Sequence, residues 1–130
     1  MANAMRVLIV EDNASVREAV ACDFEREPGF EVMGQAASLA EARRMLATAD
    51  VVILDLGLPD GSGAELIPEL RAANPKAHAL VLSATFDATL AAKAIERGAT
   101  AVLDKMTHLG QIAQTARGIL AEERLLPAKD

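Results

Sequence analysis

Two kinds of apolar pattern alternate along this 130-residue chain. One is short and continuous: Arg6-Val7-Leu8-Ile9-Val10, Val51-Val52-Ile53-Leu54, His78-Ala79-Leu80-Val81-Leu82-Ser83 and Thr100-Ala101-Val102-Leu103-Asp104-Lys105. Runs of this length, rich in β-branched and aliphatic residues, read as strands buried on both faces. Phe30–Ala36 alternates only in part, which predicts a weaker strand near a sheet edge. The second pattern recurs at helical spacing, in Val16, Val20 and Phe24, in Leu39, Ala42 and Leu46, and in Leu66, Ile67 and Leu70. An alanine-rich stretch from Asp87 to Arg97 continues it, and Leu109, Ile112, Ala116, Ile119 and Leu120 close it.

The punctuation between these segments agrees with them. Asn13, or a Ser15/Glu18 capping box, opens the first helix and Pro28-Gly29 stops it. Ser38 with Glu41 opens the second, Asn74-Pro75 ends the third, Gly98 suits a left-handed cap after the fourth, and Thr107 can cap the last. Pro68 falls inside the third helical stretch and predicts a disturbance of its first turns. Five strands alternating with five helices imply one α/β domain, a doubly wound parallel sheet joined by right-handed crossovers. Such sheets bind ligands outside the carboxyl ends of the strands, where strand order reverses.

Composition narrows the function classes. A net charge of −6 and the lack of Trp and Tyr argue against unaided nucleic-acid binding, which needs a basic face or a stacking platform. Cys22 is the only cysteine, which excludes an internal disulfide and a cysteine zinc cage; inside the first helix it reads as a small packing residue. No apolar run approaches the roughly 20 residues that span a membrane, and the start lacks a signal-peptide pattern. A cytoplasmic protein without a membrane partner is expected.

The candidate chemistry lies at the predicted strand ends. Glu11-Asp12 follows the first strand, Asp55 the third, Ser83 the fourth and Lys105 the fifth. Three carboxylates meeting at one switch point repel one another, and a hard divalent cation, best Mg2+, relieves them. A hydroxyl and an ammonium facing the same point suit a phosphoryl group. Taken singly, Glu11-Asp12 and Asp55 are more often solvated strand ends than sites, and Ser83 alone says almost nothing. Gly61-Ser62-Gly63 suggests a dinucleotide loop only superficially, because Leu66 stands at the third glycine position.

In these positions, in order and spacing, the chain from Arg6 to about Leu120 resembles the receiver domain of bacterial two-component response regulators. The kinds joined to helix-turn-helix transcription output domains are the nearest in style. The resemblance implies a flavodoxin-like (βα)5 fold with strand order 2-1-3-4-5. It further implies that Asp55 accepts a phosphoryl group, that Asp12 binds Mg2+ directly and Glu11 through water, and that the Gly57 carbonyl is a further metal ligand. Ser83 would bind a phosphoryl oxygen and Lys105 would pair with its charge. The implied partners are a sensor histidine kinase or phosphotransfer protein, a second copy of this chain, and DNA only through an output domain outside these residues.

Three positions depart from the family pattern. Val102 stands where a switching Tyr or Phe is usual, so a ring-flip switch is unavailable there. Met106 stands where many members have Pro, which leaves the Lys105–Met106 isomer open. Gly57 lacks the side chain that often shields the phosphoryl group. The expected domain spans residues 5–122, with 123–130 a helix end and linker. The expected role is a phosphorylation-controlled switch and not an enzyme; the rival reading is a phosphate-independent receiver-like interaction module, with the last helices as the partner surface.

Overall fold

The computed structural model describes residues 4–84, 88–105 and 110–122. The strands are β1 (Met5–Val10), β2 (Phe30–Ala36), β3 (Val51–Asp55), β4 (His78–Ser83) and β5 (Ala101–Asp104). Between them run α1 (Ala14–Arg26), α2 (Leu39–Arg43), α3 (Leu66–Ala73), α4 (Ala88–Glu96) and, last, α5 (Ile112–Glu122). The strands form one parallel sheet in the order β2-β1-β3-β4-β5, the flavodoxin-like order. The partly alternating strand, β2, sits at the edge.

Period-two alternation along each strand divides the core in two. Leu8, Val10, Val52 and Leu54 face α2, α3 and Ala94 of α4. Val7, Ile9, Val51 and Ile53 face Val20 and Phe24 of α1 and Ile112, Ala116 and Leu120 of α5. Phe24 meets Phe30 edge-on, with ring centres 5.0 Å apart. Each fully buried Leu, Ile or Phe stabilises the fold by roughly 1.5–3 kcal/mol, so burial on both faces explains why the strands read as unbroken apolar runs.

Local chemistry settles several boundaries. Asn13 is the cap of α1, its Oδ1 accepting the Val16 amide at 3.1 Å. Pro68 lies in the first turn of α3, where its missing N–H has no intrahelical partner to lose, and a 3-10 turn over Gly63–Glu65 precedes it. Ser62 and Glu65 make a capping box there. Gly98 adopts φ 112 after α4, as the left-handed cap requires.

Two expectations are corrected. The second helical stretch is not continuous, because α2 ends at Arg43 and Leu46 belongs to a separate 3-10 turn, although Leu39, Ala42 and Leu46 are all buried. Cys22 is exposed on α1 and packs nothing in the core. The α5 stripe is spent on the chain's own core; the exposed large apolar side chains of the described residues are Leu90 and Ile95 on α4. The expectations that rest on Asp87, Met106, Thr107, Leu109 and residues 123–130 lie outside the described residues.

Candidate functional site

The sheet order reverses between β1 and β3, and the predicted residues surround that point. Val10 pairs with Leu54, Asp55 with Leu82, and Ser83 with Asp104, so the strand ends lie level with one another. Glu11, Asp12 and Asp55 each offer a carboxylate oxygen, all within 4.8 Å of one another. Glu11 and Asp55 are buried while Asp12 is open to solvent. Lys105 reaches over β4 from the end of β5. Its Nζ stands 3.2 Å from Asp55 Oδ2 and in contact with Glu11 Oε1.

The two buried acids are held by the turns that deliver them. The Glu11 amide donates to the Ala36 carbonyl at 2.9 Å, and its Oε2 accepts the Asn13 amide at 3.0 Å. The Arg17 guanidinium, one turn into α1, donates to the Glu11 carbonyl at 2.8 Å and ties the β1–α1 turn to the helix. Asp55 Oδ1 accepts the Gly57 amide at 3.3 Å. Gly57 begins a two-rung antiparallel hairpin, in which it pairs with Ser62 and Leu58 pairs with Gly61. Ser83 is buried at the end of β4, and Val102 is half-buried against the α3 side of the core.

The electrostatics favour a cation. Burial pushes the Glu11 carboxyl up to about 6, against the opposing pull of Lys105 and the Asn13 amide, and the neighbouring Asp55 and Asp12 push the same way as burial. Burial alone would lower the Lys105 ammonium, but the Glu11 hydrogen bond and the charge of Asp55 outweigh it and hold it above the usual lysine value. One ammonium cannot neutralise three carboxylates, and the excess matches a dication with oxygen ligands. The donor set therefore fits magnesium.

A cavity of about 700 Å³ lies at the opposite end of the sheet, lined by Ala4, Met5, Arg6, Glu31 and Asp50. It carries no convergent chemistry, since Arg6 and Asp50 pair with each other. Arg17 and Asp60 escaped the sequence reading. An arginine on a helix and an Asp in a Pro-Asp-Gly turn each have a commonplace surface reading, and only the fold brings their partners close. The Ser62–Glu65 capping box escaped the sequence reading too, although its S-x-x-E spacing is written in the sequence.

The sequence pattern of the response regulator receiver domain matches residues 7–117. The DNA-binding transcriptional activator DevR/DosR of Mycobacterium tuberculosis is 31% identical over 124 residues, covering 94% of this chain and 57% of that protein. Among solved structures, a LuxR-family two-component response regulator from Aurantimonas superposes with a TM-score of 0.83 at 32% identity, covering 92% of this chain and 87% of that one. A Burkholderia pseudomallei response regulator, solved with a phosphorylated aspartic acid and a calcium ion, superposes at 0.71 with 29% identity, covering 93% and 74%. The chain thus spans little more than half the length of the first curated relatives it matches. No helix among the described residues is long and apolar enough to cross a membrane. With fold, strand order and acidic pocket in agreement, the chain belongs to the response regulator receiver domain family.

Proposed function

We propose that this chain is a phosphorylation-controlled signalling switch in which Asp55 accepts a phosphoryl group from a histidine kinase or phosphotransfer protein. The convergence of Glu11, Asp12 and Asp55 against Lys105 carries this reading. Asp12, Asp55, the Gly57 carbonyl and, through water, Glu11 would hold magnesium, which neutralises charge and orients the phosphoryl oxygens when bound. An Asp55 oxygen attacks the phosphorus as the P–N bond to the donor histidine breaks; the electron pair leaves on the imidazole nitrogen, which takes a proton from solvent. With an acyl phosphate the P–O bond breaks instead and the pair stays on the leaving carboxylate. Lys105, already beside Asp55 Oδ2, balances the arriving charge, and Ser83 donates its hydroxyl to a phosphoryl oxygen. Such transfer depends on positioning and charge more than on covalent help.

The reset reaction is hydrolysis. Water attacks the phosphorus, the bond to Asp55 breaks, and the carboxylate, inorganic phosphate and a proton are released. A Cβ built on Gly57 would meet nothing within 4 Å, and a cavity of about 280 Å³ opens beside it toward Leu90 and Ala94. Gly57→Met is therefore expected to lengthen the phosphoryl lifetime severalfold by screening water; an unchanged decay rate after donor removal would sink that explanation.

Phosphorylation adds about −1.5 to −2 charges, enough to bias a two-state equilibrium. Val102 places no ring at the strand-five switch position, so the change is relayed by another element. We take residues 5–122 as the receiver and 123–130 as the lead toward an output domain; the likeness to DevR/DosR supports transcription as that output. The test is incubation with magnesium and acetyl phosphate, followed by intact mass. One added phosphoryl group, removed by hydroxylamine and missing in Asp55→Asn, is expected. Neither mass gain nor beryllofluoride binding would favour the phosphate-independent interaction module.

A further inference from the structure

The hairpin that carries Gly57 is fastened to α2 at its tip. Asp60 Oδ1 accepts the Leu39 amide at 2.9 Å and Oδ2 accepts the Ala40 amide at 3.2 Å. The third amide of that turn, Glu41, goes to Ser38 Oγ at 3.2 Å. Amides in a helix's first turn have no partners inside the helix, so α2 takes two of its caps from a loop about 20 residues away in sequence. These bonds hold the Asp60 carboxyl below its ordinary value.

Two independent contacts reinforce the fastening. Gly61, at φ +147, lies so close to α2 that a Cβ there would stand 2.8 Å from Leu39 Cδ1. Arg43, at the end of α2, forks onto Glu69 of α3 at 2.8 and 2.9 Å and comes within 3.7 Å of Glu65. Between Asp60 and Gly57 there is no slack. The two hairpin rungs and the bond from the Gly63 amide to the Leu56 carbonyl, at 2.8 Å, make the turn one stiff unit. A shift at Asp60 must therefore appear at Gly57, which donates to the Asp55 carboxylate.

We propose that Asp60 is a positioning residue: by clamping the hairpin to the first turn of α2, it sets the Gly57 backbone for metal binding at Asp55. This rests on the magnesium site described above. The coupling is reciprocal, because a clamp that favours ligand binding is itself tightened by the ligand. A five-residue helix cannot persist without outside support, so α2 is the element that registers occupancy of Asp55. That supplies a route for the signal that does not pass through Val102.

The experiment uses the whole chain, with magnesium alone and magnesium plus beryllofluoride as probes, read by titration calorimetry and amide hydrogen exchange. Asp60→Ala is expected to weaken magnesium binding roughly tenfold, the scale typical of groups that orient metal ligands. Asp60→Asn, which keeps one acceptor oxygen, should fall between. Ser38→Ala is the control, since it removes a cap from the same helix without touching the hairpin, and magnesium binding should survive it. In the wild type the Leu39 and Ala40 amides should exchange more slowly once both probes are bound, and this slowing should vanish in Asp60→Ala. Equal loss in Ser38→Ala and Asp60→Ala would overturn the proposal, as would α2 amides indifferent to the probes. A wild type that binds neither probe would instead overturn the reading of the site itself.

Discussion

Lys105→Met is expected to slow phosphoryl transfer to Asp55 by about 10²–10³-fold, the usual cost of losing one preorganised charge partner of a transition state. The same change should tighten magnesium binding. The two effects have opposite signs because one ammonium plays both parts: it awaits the phosphoryl charge, and until then it competes with a metal for Glu11 and Asp55. Methionine keeps much of the stem's packing and removes only the cation. The Lys105 side chain is 12% exposed and that of Glu11 only 1%, so the pair is shielded from water and its loss is poorly compensated.

Without magnesium the variant should lose about 3 kcal/mol of stability, the scale for breaking a buried ion pair from one side. The Glu11 carboxyl, already raised by burial, loses the Lys105 bond that opposes the rise and moves further up. Magnesium should restore most of the loss, since a ligand that binds only the folded state stabilises it by mass action. Single-turnover transfer from acetyl phosphate, magnesium calorimetry and melts with and without the metal measure all three. Transfer at the wild-type rate, or weaker metal binding, would remove Lys105 from the role assigned to it.

The second large effect concerns a residue with no chemistry of its own. Gly63→Ala should destabilise the chain by about 3 kcal/mol through overpacking. A Cβ at Gly63 would press into the backbone carbonyl oxygen of Asp55, with the Asp55 carbonyl carbon at 3.0 Å and Leu54 Cδ1 at 3.1 Å. A flexible side chain could yield to such a contact, but the end of a buried central strand cannot. The strain falls on Asp55, so magnesium affinity should drop together with stability. Gly57→Ala is the internal comparison, for its Cβ would enter open space and leave stability nearly unchanged. Urea unfolding of the two variants separates them, and a Gly63→Ala protein as stable as the wild type would refute the packing argument.

How much was legible depended on whether an interaction is local. The strands were readable because burial on both faces demands unbroken apolar runs, and the sites followed because a parallel sheet aligns the carboxyl ends of its strands. Glu11, Asp12, Asp55 and Lys105 therefore met as anticipated. The fate of Cys22 and of the split after α2 was not readable, since both turn on which helical face the sheet covers and where a short helix finds outside caps.

By itself the sequence determined the alternation of strands and helices, the acids and lysine that end the strands, and the lack of a ring at Val102. Each is written in period, punctuation or residue identity within a short window. Only the tertiary structure decided that Lys105 bridges Glu11 and Asp55, that Gly63 must be glycine because it lies against the Asp55 backbone, and that Asp60 caps α2. Those contacts join residues about 8 to 94 apart in the chain, and their energies exist only once the sheet has brought the loops together.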